Sequence, residues 1–83
     1  MDHYLLIARS VTQAQRMAAV LESKGIRGSI LRAPATLNPK GCSYAVRIDR
    51  LALQNAQETL YAAAIRPLRI YERTDTGYRE VLL

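Results

Sequence analysis

The stretch Tyr4-Leu5-Leu6-Ile7-Ala8, followed after Arg9 by Ser10-Val11-Thr12-Gln13, decides the fold. Five apolar residues without a polar interruption are too few for a buried helix. They read as a central strand covered on both faces. Ser10 then opens a helix. The spacing from Ser10 to Gln13 has the form of a capping box, in which Gln13, at the third helical position, reaches back to the cap. Ala14, Met17, Ala18 and Leu21 recur at i, i+3, i+4 and i+7 and make one apolar face, with Gln15, Arg16, Glu22 and Lys24 largely off it. Gly25 supplies the left-handed stop.

Working outward, Arg27 to Ala33 reads as a second strand, weakened at its start by Gly28 and Ser29. Pro34 to Gly41 is a loop rich in turn formers, longer than the roughly two to five residues a tight hairpin needs. Ser43 to Ile48 alternates, with Tyr44, Val46 and Ile48 on one face and Ala45 and Arg47 on the other. Asp49 is placed to cap a second helix reaching Ala64, whose buried stripe is Leu53, Ala56, Leu60, Ala63 and Ala64. After Pro67, Leu68 to Tyr71 is a fourth strand. Thr74 to Gly77 is a turn, and Tyr78 to Leu83 folds back as a fifth strand.

The order βαββαβ, with right-handed crossovers, predicts an α+β ferredoxin-like sandwich: two helices on one face of an antiparallel sheet ordered 4-1-3-2. The fifth strand has two possible places, beside strand four or in the sheet of a dimer. The expected organisation is a single domain over residues 1–83, with a core at about 4–71 and a C-terminal hairpin extension at 72–83.

Composition narrows the function classes. Apolar residues make up 49%, with no Trp or Phe, so the core is expected to be thin and aliphatic. The start lacks the basic and long apolar regions of a signal peptide, and no apolar run could span a bilayer. The expectation is a cytoplasmic protein. Twelve Lys and Arg against seven Asp and Glu give a charge of +5, and ten of the twelve are Arg, which suits carboxylate, phosphate and acidic protein surfaces. They are scattered along the chain, which argues against nucleic acid as a partner. Tyr44 points with Val46 and Ile48, and the aromatic signature of an RNA-stacking sheet is missing. One Cys and one His give no metal site, and no glycine-rich nucleotide loop is present, so no cofactor is indicated.

Cys42 is the one cysteine, in Lys40-Gly41-Cys42-Ser43 between two predicted strands. A lone thiol cannot form an internal disulfide. It is either a small packed hydrophobe or a chemical handle. The predicted topology puts its loop at the sheet end that also holds the N-terminus of the first helix, where partial positive charge gathers. Arg9, Lys40 and Arg66 would add full charges there, Gly41 would permit close backbone approach, and Ser10 and Thr12 could donate to a sulfur anion. Arg47 reads equally as an anion partner or as a solvated residue on the open sheet face, and Arg9 could simply sit near the helix entrance.

Three pieces of this chain carry a resemblance: Ser10-Val11-Thr12-Gln13-Ala14, Glu22-Ser23-Lys24-Gly25-Ile26, and Cys42 with Tyr44-Ala45-Val46-Arg47-Ile48. Over about Tyr4 to Tyr71 the chain resembles the Putative Se/S carrier protein-like family, a small bacterial domain. Members place a cysteine in this loop, usually in a Cys-Gly order. Here Gly41 precedes Cys42 and Ser43 follows it. The resemblance implies a carrier rather than a turnover enzyme, taking sulfur or selenium onto Cys42 as a persulfide or selenopersulfide. Its partners would be a donor such as a cysteine desulfurase and an acceptor protein. The alternative is a non-catalytic interaction or regulatory module that dimerises through its sheet, with Cys42 incidental. The two part on ionisation: an iodoacetamide-rate titration of Cys42 is expected to give a pKa below the ordinary thiol value of about 8.5, and a value at or above it would favour the interaction module.

Overall fold

The computed structural model describes residues 3–34, 36–37 and 43–81. Lys40, Gly41 and Cys42 lie outside the described residues, as do the last two positions of the predicted fifth strand. The elements are β1 (His3–Ala8), α1 (Val11–Glu22), β2 (Ser29–Arg32), β3 (Tyr44–Asp49), a 3-10 turn (Arg50–Ala52), α2 (Leu53–Ala62), β4 (Arg69–Thr74) and β5 (Gly77–Val81). They form one antiparallel sheet in the order β2-β3-β1-β4-β5, the predicted ferredoxin-like arrangement. Of the two places open to the fifth strand, the structure takes the one beside β4, through a turn closed by the Thr74–Gly77 pair.

β1 is central because its apolar run has two faces to bury. Leu6 and Ala8 turn toward the helices and join Met17, Leu21, Val46, Ile48, Leu60 and Ile70 in an aliphatic core. Leu5 and Ile7 turn the other way, where no helix lies, yet Leu5 is 0% exposed. Ala45, Leu31, Ala33, Leu37, Tyr71 and Tyr78 cover them. The opening of the β2–β3 connection thus folds against the helix-free face, held by a turn from Leu37 N–H to Pro34 C=O at 2.9 Å. Burying one Leu side chain is worth roughly 1.5–3 kcal/mol, enough to anchor the start of that connection.

The caps explain where the helices begin and end. Ser10 is extended and its Oγ accepts from the Gln13 N–H, as the capping-box spacing predicts. Gly25 takes a positive φ of 77°, and Ile26 N–H closes back onto Leu21 C=O. Two expectations are corrected at α2. Asp49 makes no side-chain cap, because the chain leaves β3 through the 3-10 turn and the helix proper starts at Leu53. Ala64 is not on the buried stripe: it lies beyond the helix end, exposed, at a φ of 59°. There it holds the place Gly25 holds after α1, with Ile65 N–H bonded to Leu60 C=O at 2.9 Å. β2 is also shorter than expected, four residues on the sheet edge.

Gly28, which leads into β2, is required by packing. A Cβ at this position would lie 2.7 Å from Val46 Cγ1 and 3.6 Å from Leu21 Cδ1. Val46 is fully buried and stiff about χ1, so it cannot swing aside cheaply. Gly28→Ala is expected to destabilise the fold by about 1–3 kcal/mol, read as a lowered urea midpoint at unchanged slope.

Candidate functional site

Three connections meet at one end of the sheet. Ala8, the last residue of β1, pairs with Tyr44, the first of β3. Ser43 C=O accepts from Ala33 N–H at 2.8 Å, which closes the described base of the β2–β3 connection. Leu68 N–H donates to Ile7 C=O at 2.8 Å and brings the entry to β4 beside them. Ser43 is the residue that follows Cys42 in the sequence, so the described flank of the cysteine loop stands at the end where α1 begins.

Gln13 fastens this end together. Its Oε1 accepts from Arg9 N–H at 2.7 Å, and its Nε2 donates to Arg66 C=O at 3.3 Å. The expected reach back to the cap therefore goes one residue further, to Arg9, which leaves the other end of the amide free to hold the segment entering β4. One uncharged side chain ties the exit of β1, the first turn of α1 and the segment after α2.

Around that clamp lies an open cavity of about 350 Å³ lined by Arg9, Ser10, Thr12, Arg16 and Arg66, with Ala64 on its wall. No acidic residue sits in the first turn of α1. The Gln13 N–H is capped, while those of Val11 and Thr12 bond nothing among the described residues. The positive end of the helix and three arginines therefore border the same space. The Arg–carboxylate pairs Arg69–Glu80 (3.0 Å) and Arg79–Glu72 belong to β4 and β5 instead.

Of the residues singled out in the sequence, Arg9, Ser10, Thr12 and Arg66 come together here. Arg47 does not join them. It stands opposite Leu5 and Ser29 in the sheet, exposed on the helix-free face. Lys40, Gly41 and Cys42 are outside the described residues. Arg16 and the second role of Gln13 were missed. Helical spacing could have found Arg16, which follows Thr12 at i+4 and Gln13 at i+3 and so shares their face. The Gln13–Arg66 bond spans 53 residues and has no local signal. Among the described residues, no group of three His, Cys, Asp or Glu side chains could hold a metal ion.

A family model described as Putative Se/S carrier protein-like matches residues 3–72. The chain belongs to this family. The matched region of this Se/S carrier-like chain opens with β1 and closes inside β4, so it includes both helices and the whole arginine-lined cavity, and it stops short of β5. No curated protein and no solved structure matches the chain. No helix among the described residues is long and apolar enough to cross a membrane.

Gln13→Ala would remove both side-chain bonds and leave the helix cap at Ser10 in place. The expected cost is about 1–2 kcal/mol, on the scale of two exposed neutral hydrogen bonds. Gln13→Glu, which keeps the acceptor for Arg9 N–H but loses the donor to Arg66, should fall between wild type and Ala in the same urea titration.

Proposed function

We propose that this chain is a cytoplasmic sulfur or selenium carrier whose cargo rides on Cys42. The observation that carries this reading is the family match across residues 3–72, which takes in the one cysteine of the chain. The arrangement of the site supports it. The loop bearing the thiol returns to the sheet at Ser43, at the end where the α1 N-terminus, Arg9 and Arg66 gather positive charge. Such a field favours thiolate over thiol, and the thiolate is the form that attacks.

The step is a redox-neutral transfer. Cys42 as thiolate attacks the outer sulfur of a donor persulfide, R–S–SH. A new S–S bond forms to Cys42, the donor's S–S bond breaks, and the electron pair leaves on the donor as R–S⁻. The product, Cys42–S–SH, is then attacked at its outer sulfur by an acceptor thiolate, which restores the Cys42 thiolate. A selenopersulfide donor passes selenium by the same exchange. One cysteine is enough, since the acceptor brings the second nucleophile. Arg9, Ser10, Thr12 and Arg66, with Lys40 and Gly41, are the residues proposed to stabilise the thiolate, and the partners are a donor such as a cysteine desulfurase and an acceptor protein.

Intact-mass measurement after incubation with a cysteine desulfurase and cysteine, or with a small persulfide donor, tests the reading. The expected product is an adduct of about +32 Da for sulfur, or about +80 Da with a selenium donor, removed by dithiothreitol and absent in Cys42→Ser. No adduct from either donor would overturn it.

A further inference from the structure

The arginine-lined cavity is one end of a longer furrow. Beyond Ala64 and Ile65 a second hollow of about 540 Å³ shares the Arg66 wall and is flanked by Tyr61. A third, of about 490 Å³, continues past Tyr61 and Arg66 to Pro67 and Glu58, with a largely apolar lining. Tyr61 is 74% exposed and Leu68, next to Pro67, is 50% exposed. The furrow therefore has two chemistries. At one end are Arg9, Arg16, Arg66 and the N-terminus of α1, without an acidic residue among the lining groups; at the other is a largely apolar hollow whose lining includes Glu58.

We propose that this furrow docks an acidic segment of a partner protein, its carboxylates on Arg9, Arg16 and Arg66 and an adjacent apolar side chain against Tyr61 and Pro67. The argument is charge complementarity. Arg guanidinium groups pair with carboxylates in forked, directional bonds, and among the described residues none of these three has a carboxylate partner of its own. The apolar rim adds contact area that a free inorganic anion would not use. A nucleic-acid backbone fits less well, because it needs a continuous basic track and here the hollow past Tyr61 is largely apolar and counts Glu58 among its lining residues. The identity of the partner as the chalcogen donor or acceptor rests on the carrier reading above; the docking itself does not.

The test uses the full chain and a fluorescein-labelled peptide of repeated Glu-Glu-Leu triplets, with binding read by fluorescence anisotropy. Saturable binding is expected, lost when Gln replaces Glu in the peptide. It should weaken at least ~10-fold in Arg16→Glu/Arg66→Glu, the effect of about 1.4 kcal/mol, and much less in Arg27→Glu/Arg47→Glu, which changes net charge equally elsewhere. Backbone amide shifts in the wild-type protein should move at residues 9–16 and 61–68, a readout that does not depend on any variant folding. Equal weakening in the two double variants, shifts confined to the helix-free sheet face, or displacement of the peptide by a single-stranded RNA at lower concentration than by unlabelled peptide would each overturn the proposal. Cys42→Ser should bind the peptide like wild type. Peptide binding without a sulfur adduct would retain the docking site and remove the cargo; an adduct without localised binding would do the reverse.

Discussion

β1 must be covered on both faces, and most of the structure follows from that. A strand reading Leu5-Leu6-Ile7-Ala8 cannot lie at an edge without leaving half its side chains in water, so it takes the middle of the sheet, between β3 and β4. One face is served by α1 and α2 through Met17, Leu21, Ala56 and Leu60. The other is served by Leu31, Ala33 and Leu37, with Tyr71 and Tyr78. The same demand that builds the core thus draws the start of the β2–β3 connection under the sheet and commits it to one end of the molecule.

That end is also where charge and polar contacts concentrate. A helix whose first turn lacks an acidic residue keeps its partial positive charge available, and the three arginines around it are not neutralised by neighbouring carboxylates among the described residues. On β4 and β5, by contrast, Arg69 and Arg79 are paired with Glu80 and Glu72. The chain therefore spends some of its positive charge within the terminal hairpin and leaves another part facing an open furrow. Gln13 gives this end its fixed geometry without adding charge, since its amide can accept from one segment while donating to another.

Much of this was legible residue by residue. The Ser10–Gln13 spacing gave the helix start, Gly25 its end, and the alternation from Tyr44 to Ile48 the correct inward face. The readings that changed were those where a local signal competes with tertiary geometry. Asp49 has the right chemistry for a cap, but the chain leaves β3 into a 3-10 turn that does not use it. Ala64 continues the apolar spacing of α2, yet the helix closes before it and turns it outward. Arg47 shares its strand with the residues that follow Cys42, but the pleat points it away from the arginine cluster.

The sequence by itself determined the element order, the central place of β1, the helix-free face of the sheet and the lone thiol at position 42, because these depend on periodicity, local caps and composition. Only the tertiary structure decided what covers Leu5 and Ile7, which side of the sheet β5 joins, and that Arg16 stands with Arg9 and Arg66 along one furrow. Those outcomes rest on contacts between residues distant in the chain, such as Gln13 with Arg66, where neither partner carries a mark of the other.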